Sequence, residues 1–146
     1  IRRVFDLSAD PAAIGAALSS DATLAGLVAR RPGLRLPGVW DGFEAAVRAV
    51  LGQQVSVVAA TRLAADLAAR YGAPLNGAGP LTHAFPEPDA LVDAEIGGMP
   101  KARAATIRTV ARAACDDPRL FEPHRDLDSA LAKLVALPGI GSWTAN

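Results

Sequence analysis

A proline and two glycines within five residues constrain how the C-terminal part of this chain can fold. Leu137-Pro138-Gly139-Ile140-Gly141 follows an apolar helical run from Leu131 to Val135 and precedes the polar-aromatic segment Ser142-Trp143-Thr144-Ala145-Asn146. Pro138 cannot continue a helix, and Gly139 and Gly141 permit positive φ, so the chain must reverse sharply before a second helix begins. With no side chain at either glycine, the amides of the turn can converge on an outside anion, and the positive end of the second helix points the same way. Such a turn holds a phosphate by backbone alone and needs no lysine.

The rest of the chain has to supply a core for that turn. Its 146 residues suffice for one domain, and with 51% hydrophobic but only 5% aromatic residues the core must come from Ala, Leu and Val, which favours packed helices over a sheet. Fifteen basic residues balance fifteen acidic ones, so bulk charge gives no sign of a nucleic-acid partner. The charge is zoned, however: Glu87, Asp89, Asp93 and Glu95 precede Lys101, Arg103, Arg108 and Arg112, which have no acid between them. That basic run is either a solvated helix face or a phosphate contact. The single cysteine, Cys115, excludes an internal disulfide and a multi-cysteine metal site, and reads as a buried structural thiol. No apolar run of about 18 residues and no signal peptide is present, so no membrane association and an intracellular protein are expected.

Taken in order, Ile1, Val4 and Phe5 fall at helical spacing and read as the tail of a helix. Asp10-Pro11 starts a helix ending near Ser19, with the acid as N-cap and proline in the first turn. A short helix over Thr23–Ala29 stops before Pro32. Arg31 to Gly38 has Gly or Pro at four of eight positions and reads as a fixed loop. Asp41 and Glu44 form a capping-box pattern that opens the central helix, with Phe43, Val47, Val50 and Leu51 as its apolar stripe. Gly52-Gln53-Gln54-Val55-Ser56 interrupts that stripe, and Ser56 caps the next helix, whose inner face is Ala60, Leu63, Ala64, Leu67 and Tyr71. Two adjacent glutamines at a helix junction read, by themselves, as solvated residues or caps. Ala73 to Pro88 is a long loop, and Pro88-Asp89 opens a short helix ending near Ala94. A turn at Gly97-Gly98-Met99-Pro100 precedes a helix over Lys101–Cys115 with Ile107, Val110, Ala111 and Ala114 inward. Asp128 is expected to cap a helix over Ser129–Ala136. His83 and His124 lack a nucleophile or second ligand at useful spacing and read as surface residues. The expectation is an all-α, multi-helix single domain over 1–146 with one contiguous core and its hairpin at 137–141.

Leu137 to Gly141 resembles the hairpin of a helix-hairpin-helix motif, and Gly141-Ser142-Trp143-Thr144-Ala145-Asn146 is similar to its continuation in the alkylbase DNA glycosylases. A second match lies upstream in the right order: Arg31-Pro32-Gly33-Leu34-Arg35-Leu36-Pro37-Gly38, then Leu51-Gly52-Gln53-Gln54-Val55-Ser56. The likeness is to DNA-3-methyladenine glycosylase II of the AlkA type and covers nearly all of the chain. It implies a helix-hairpin-helix DNA glycosylase domain, truncated at both ends, from a monofunctional base-excision repair enzyme. Such an enzyme flips alkylated purines out of duplex DNA and hydrolyses their N-glycosidic bond.

The resemblance also assigns roles. The Gln53-Gln54 junction would face the minor groove, with Gln54 as the wedge that fills the gap left by the extruded nucleotide; several family members carry an apolar residue there. The amides of Gly139 and Gly141 and the Thr144 hydroxyl match phosphate-holding positions. The carbonyls of Val135, Leu137 and Ile140 match those that bind a monovalent cation, sodium or potassium, and no organic cofactor is implied. Trp143 matches a base-pocket tryptophan, whose indole can stack on a positively charged alkylated base; Trp40 lacks that context and reads as structural. No catalytic residue is assigned within the 146 residues, because the family's aspartate would follow Asn146. The fragment alone is therefore expected to be inactive and marginally stable. The implied setting is a monomer acting on alkylated duplex DNA in the bacterial cytoplasm, associated with the nucleoid. Two other readings stand beside it: the glycosylase-like half of a methylation-responsive transcriptional regulator, and a non-catalytic helix-hairpin-helix DNA-binding module.

Overall fold

The computed structural model describes residues 1–77, 79–124 and 126–145. Among them the regular structure is helical: α1 Pro11–Leu18, α2 Ala22–Arg30, α3 Gly42–Leu51, α4 Val57–Tyr71, α5 Pro88–Leu91, α6 Lys101–Asp116, α7 Leu127–Val135 and α8 Ser142–Ala145. No strand occurs among the described residues. The long loop after α4 carries one isolated antiparallel bridge, Pro74 to His83. The all-α expectation holds. The chain divides into two compact units, Ile1–Trp40 and Asp41–Asn146, and the buried core belongs to the second.

In the first unit, α1 and α2 start at aspartate caps. Asp10 accepts from the amides of Ala12 and Ala13 at 2.9 and 3.2 Å, and Asp21 from those of Thr23 and Leu24 at 2.8 and 3.0 Å. Residues before α1 form successive turns rather than the expected end of a helix. Asp6 takes a positive φ of 49°, which breaks helical progression, and its carbonyl and that of Ala9 accept from the Arg35 guanidinium. Arg3 likewise donates to the Trp40 carbonyl, while the Trp40 ring is largely exposed rather than packed. No residue of this unit is buried. Ile14, Leu18, Leu24, Leu27 and Leu34 line an open apolar cleft of about 560 Å³.

The second unit is organised around α6, which packs on α3 and α5. Every inward residue expected on α3 is buried, as are Ile107, Val110, Ala111 and Ala114 of α6. Phe43 makes an edge contact with Phe85 at 6.5 Å between centroids and a tilted one with Phe121 at 6.2 Å. Only half of the expected capping box forms: Asp41 accepts from the Glu44 amide at 2.7 Å, but the Glu44 carboxylate pairs with Arg48 at 2.6 Å one turn on. Arg48 also lies over the Phe85 ring, and that double engagement draws Glu44 away from the helix start. The cap of α7 is Asp126, which accepts from the Ser129 amide at 3.3 Å, and not Asp128. Asp128 sits in the first turn instead, where its charge still complements the helix dipole. Cys115 is exposed, contrary to the buried thiol expected, because the next residue after Ala114 turns off the inward stripe of α6.

Two outcomes follow from these contacts. Ile107→Ala should cost about 2–5 kcal/mol in a urea unfolding measurement, since the vacated space lies in the middle of the only well-packed layer among the described residues. Asp21 is held below the ordinary carboxylate value by the Leu24 amide first and the Thr23 amide second. A lowered native value means that its stabilisation of α2 is present above the unfolded value and fades as pH falls through the native one. Asp21→Asn should keep the cap and remove that pH dependence, read as amide exchange in α2 across the acid range.

Candidate nucleic-acid interface

The turn between α3 and α4 carries the two adjacent glutamines. Ser56 caps α4 by accepting from the Ala59 amide at 3.2 Å, so the link between the helices is short and its backbone is forced. Gln54 is exposed and adopts a left-handed φ of 55°, a conformation that costs a side chain of this type roughly 1–2 kcal/mol. Gln53 turns the other way. Its carboxamide nitrogen donates to the Gly139 carbonyl at 3.2 Å and to the Thr144 hydroxyl oxygen at 3.1 Å, and its own carbonyl accepts from the Arg103 guanidinium at 2.5 Å. The junction and the hairpin, far apart in sequence, are thereby stitched together.

Between α7 and α8 the hairpin is built from short-range bonds. The Leu137 amide donates to Leu134 at 3.1 Å and the Ile140 amide to Leu137 at 3.0 Å, and the amides of Thr144 and Ala145 both donate to Gly141 at 3.0 Å. Ile140 anchors it in the core. Of the two glycines that permit positive φ, Gly139 uses it, at 90°. A Cβ there would also stand 1.9 Å from the Thr106 hydroxyl, so residue 139 lies directly on α6. Thr106 is 7% exposed, and its hydroxyl donates to the Ala102 carbonyl at 3.1 Å. Gly141, by contrast, meets nothing within 4 Å. Among the described residues the amides of Gly139 and Gly141 have no acceptor, and Thr144, whose oxygen accepts from Gln53, keeps its hydroxyl proton to donate. The Val135 and Ile140 carbonyls accept no bond among the described residues, whereas that of Leu137 accepts one. Asn146, the end of the motif, lies outside the described residues.

Hairpin and junction together wall an open cleft of about 850 Å³, lined by Gln53, Gln54, Arg103, Thr106, Gly139, Trp143 and Thr144 among others. Trp143 is 94% exposed, so its indole is not a core residue. The lining holds no carboxylate, and Arg103 is its one charged side chain. The other basic residues of α6 have different surroundings. Arg108 donates to the Ala94 carbonyl at 3.3 Å and Arg112 pairs with Asp93 at 3.2 Å, leaving Lys101 as an exposed lysine. No cluster of His, Cys, Asp and Glu able to hold a metal occurs among the described residues. His83, half-buried beside Thr82, and exposed His124 have no part in the cleft. Arg103 and Thr106 are the supports that sequence reading missed. They lie three residues apart on one face of α6, but Arg103 reaches a backbone carbonyl of another segment and Thr106 meets Gly139 by close packing, and neither contact leaves a local pattern.

This architecture, helices around a core with a glycine hairpin tied to a helix junction, is that of the helix-hairpin-helix DNA glycosylases. Within that class the similarity is to the AlkA type. The AlkA N-terminal domain family matches residues 1–41. The chain is 44% identical, over 99% of its length, to a probable bifunctional transcriptional activator/DNA repair enzyme AlkA of Mycobacterium tuberculosis, covering 30% of that protein. It is 41% identical over the same share to DNA-3-methyladenine glycosylase 2 of Escherichia coli, covering 50% of it. The solved 3-methyladenine DNA-glycosylase from Archaeoglobus fulgidus is 28% identical, with a TM-score of 0.71 over 93% of this chain and 48% of that one. The chain thus spans half or less of the length of these relatives.

The two hairpin glycines should respond differently to an added methyl group. Gly139→Ala should destabilise the fold by about 1–3 kcal/mol in thermal or urea unfolding, from its φ and its clash with Thr106 together. Gly141→Ala should leave stability within about 0.5 kcal/mol while weakening duplex binding measured by fluorescence anisotropy.

Proposed function

We propose that this chain is the base-flipping and phosphate-holding part of a DNA glycosylase that removes alkylated purines, such as 3-methyladenine, from duplex DNA by hydrolysing the N-glycosidic bond. The observation that carries the reading is the cleft itself. An exposed polar side chain on a forced turn, an exposed indole and a turn with free amides all border one open space. In this reading Gln54 occupies the stack after the target nucleotide leaves it. Gln53 works from beneath, holding the hairpin against the junction. The Gly139 and Gly141 amides and the Thr144 hydroxyl bind one phosphate. The carbonyls of Val135, Leu137 and Ile140 would hold a sodium or potassium ion, which would supply positive charge between hairpin and phosphate.

Trp143 stacks on the extruded base, and its electron-rich face favours a ring made cationic by alkylation. The step that remains is stabilisation of positive charge on the sugar. The cleft lining has no carboxylate, so this reading takes the catalytic aspartate from outside these residues and water, not a lysine, as the nucleophile. The partner is alkylated duplex DNA and the protein acts as a monomer in the bacterial cytoplasm. The mycobacterial relative, described as both activator and repair enzyme, favours a second reading in which the same domain also serves a methylation-responsive regulator.

The test is base release from methylated duplex DNA by the full-length protein beside its Trp143→Ala variant. The reading expects release of methylated purines by the parent, reduced about tenfold or more in the variant through loss of stacking. Duplex binding without any base release would instead favour a regulator or a non-catalytic scaffold.

A further inference from the structure

A left-handed backbone at a residue other than glycine persists only where its surroundings over-determine it. Gln54 is such a residue, and it is exposed, so its own side chain does not fix it. What reaches its turn from outside is Arg103, whose guanidinium donates at 2.5 Å to the carbonyl of Gln53, the peptide unit that leads directly into Gln54. Arg103 is half-buried, and Thr106, one turn further along α6, meets Gly139 of the hairpin. Gln53 closes the figure by donating to the Gly139 carbonyl and the Thr144 hydroxyl oxygen. One face of α6 therefore sets both the turn bearing Gln54 and the turn bearing the free amides.

We propose that Arg103 is a positioning residue: by fixing the Gln53 carbonyl, it holds the turn that presents Gln54 to DNA in register with the phosphate-holding hairpin. The proposal rests on the reading of Gln54 as the side chain that enters the stack. Arg103 acts through that side chain and makes no phosphate contact of its own, although it is the one charged group lining the cleft. A charged donor on a backbone carbonyl is among the stronger hydrogen bonds available, so its removal should be measurable in DNA recognition.

The test is a double-mutant cycle in the full-length protein. Affinity is measured for a duplex with one tetrahydrofuran abasic analogue and for the same duplex intact, and the ratio is the preference for an interrupted stack. Gln54→Ala should lower that preference. Arg103→Met should lower it about tenfold with an unchanged salt slope, and should add nothing beside Gln54→Ala. Arg103→Lys should give a smaller loss of the same kind, and carries the cycle where the Met variant does not fold. Full additivity of the two losses would overturn the proposal. So would an equal loss on both duplexes with a salt slope shallower by about one, the mark of a direct phosphate contact. If Gln54→Ala alone leaves the preference intact, the reading of Gln54 itself fails, and the proposal with it.

Discussion

One carboxamide connects the two loops on which the candidate site depends. Gln53 reaches across from the α3–α4 junction and donates to Gly139 and Thr144, while Arg103 holds its backbone carbonyl from α6. Each neutral bond contributes only about 0.5–1.5 kcal/mol, but they share a common residue, so losing Gln53 releases the hairpin and the junction together. The close approach of Gly139 to Thr106 completes the arrangement by a contact that tolerates no side chain at residue 139. The hairpin is thus seated on α6 by shape and locked to the junction by polarity.

The same arrangement would let a chain whose basic and acidic residues balance serve the nucleic-acid site proposed for it. Of the four basic side chains on α6, Arg103, Arg108 and Arg112 are engaged within the protein. Lys101, the fourth, is exposed but does not line the cleft, and the donors the hairpin itself offers an anion are the backbone amides of Gly139 and Gly141 and the hydroxyl of Thr144. Donors of this kind are fixed in direction by the fold, so they lose little freedom when a phosphate arrives. They also carry no net charge, so in the proposed function the binding of a cationic base would not be set against a field of surface lysines.

Much of this was legible in the residues because the signals are local. Apolar spacing located the buried faces of α3 and α6, and aspartate with proline marked the start of α1. Pro138 and Gly139 fixed the reversal, and the order of the two motifs pointed to the glycosylase class. The errors arose where two similar residues compete or a distant group intervenes. Asp126 and Asp128 can both cap α7, and only the backbone decides between them. Glu44 could close a capping box, but it pairs instead with Arg48, which itself lies over the Phe85 ring. Spacing along Ile1 to Phe5 suggested a helix that the turn at Asp6 prevents. The Gly139 carbonyl as the target of Gln53, and the Gln53 carbonyl as the target of Arg103, had no signature at all. A bond between a side chain and a backbone group fifty or more residues away leaves no periodicity to read.

The measurement that tests the central claim most directly is amide hydrogen exchange on full-length protein carrying Gln53→Ala. Loss of the stitch should speed exchange at Ile140, Thr144 and Ala145 by roughly tenfold or more, while the amides of Val50 in α3 and Val110 in α6 keep their protection. Unchanged protection at the hairpin, or an equal loss throughout the core, would contradict the view that this one side chain couples the two loops.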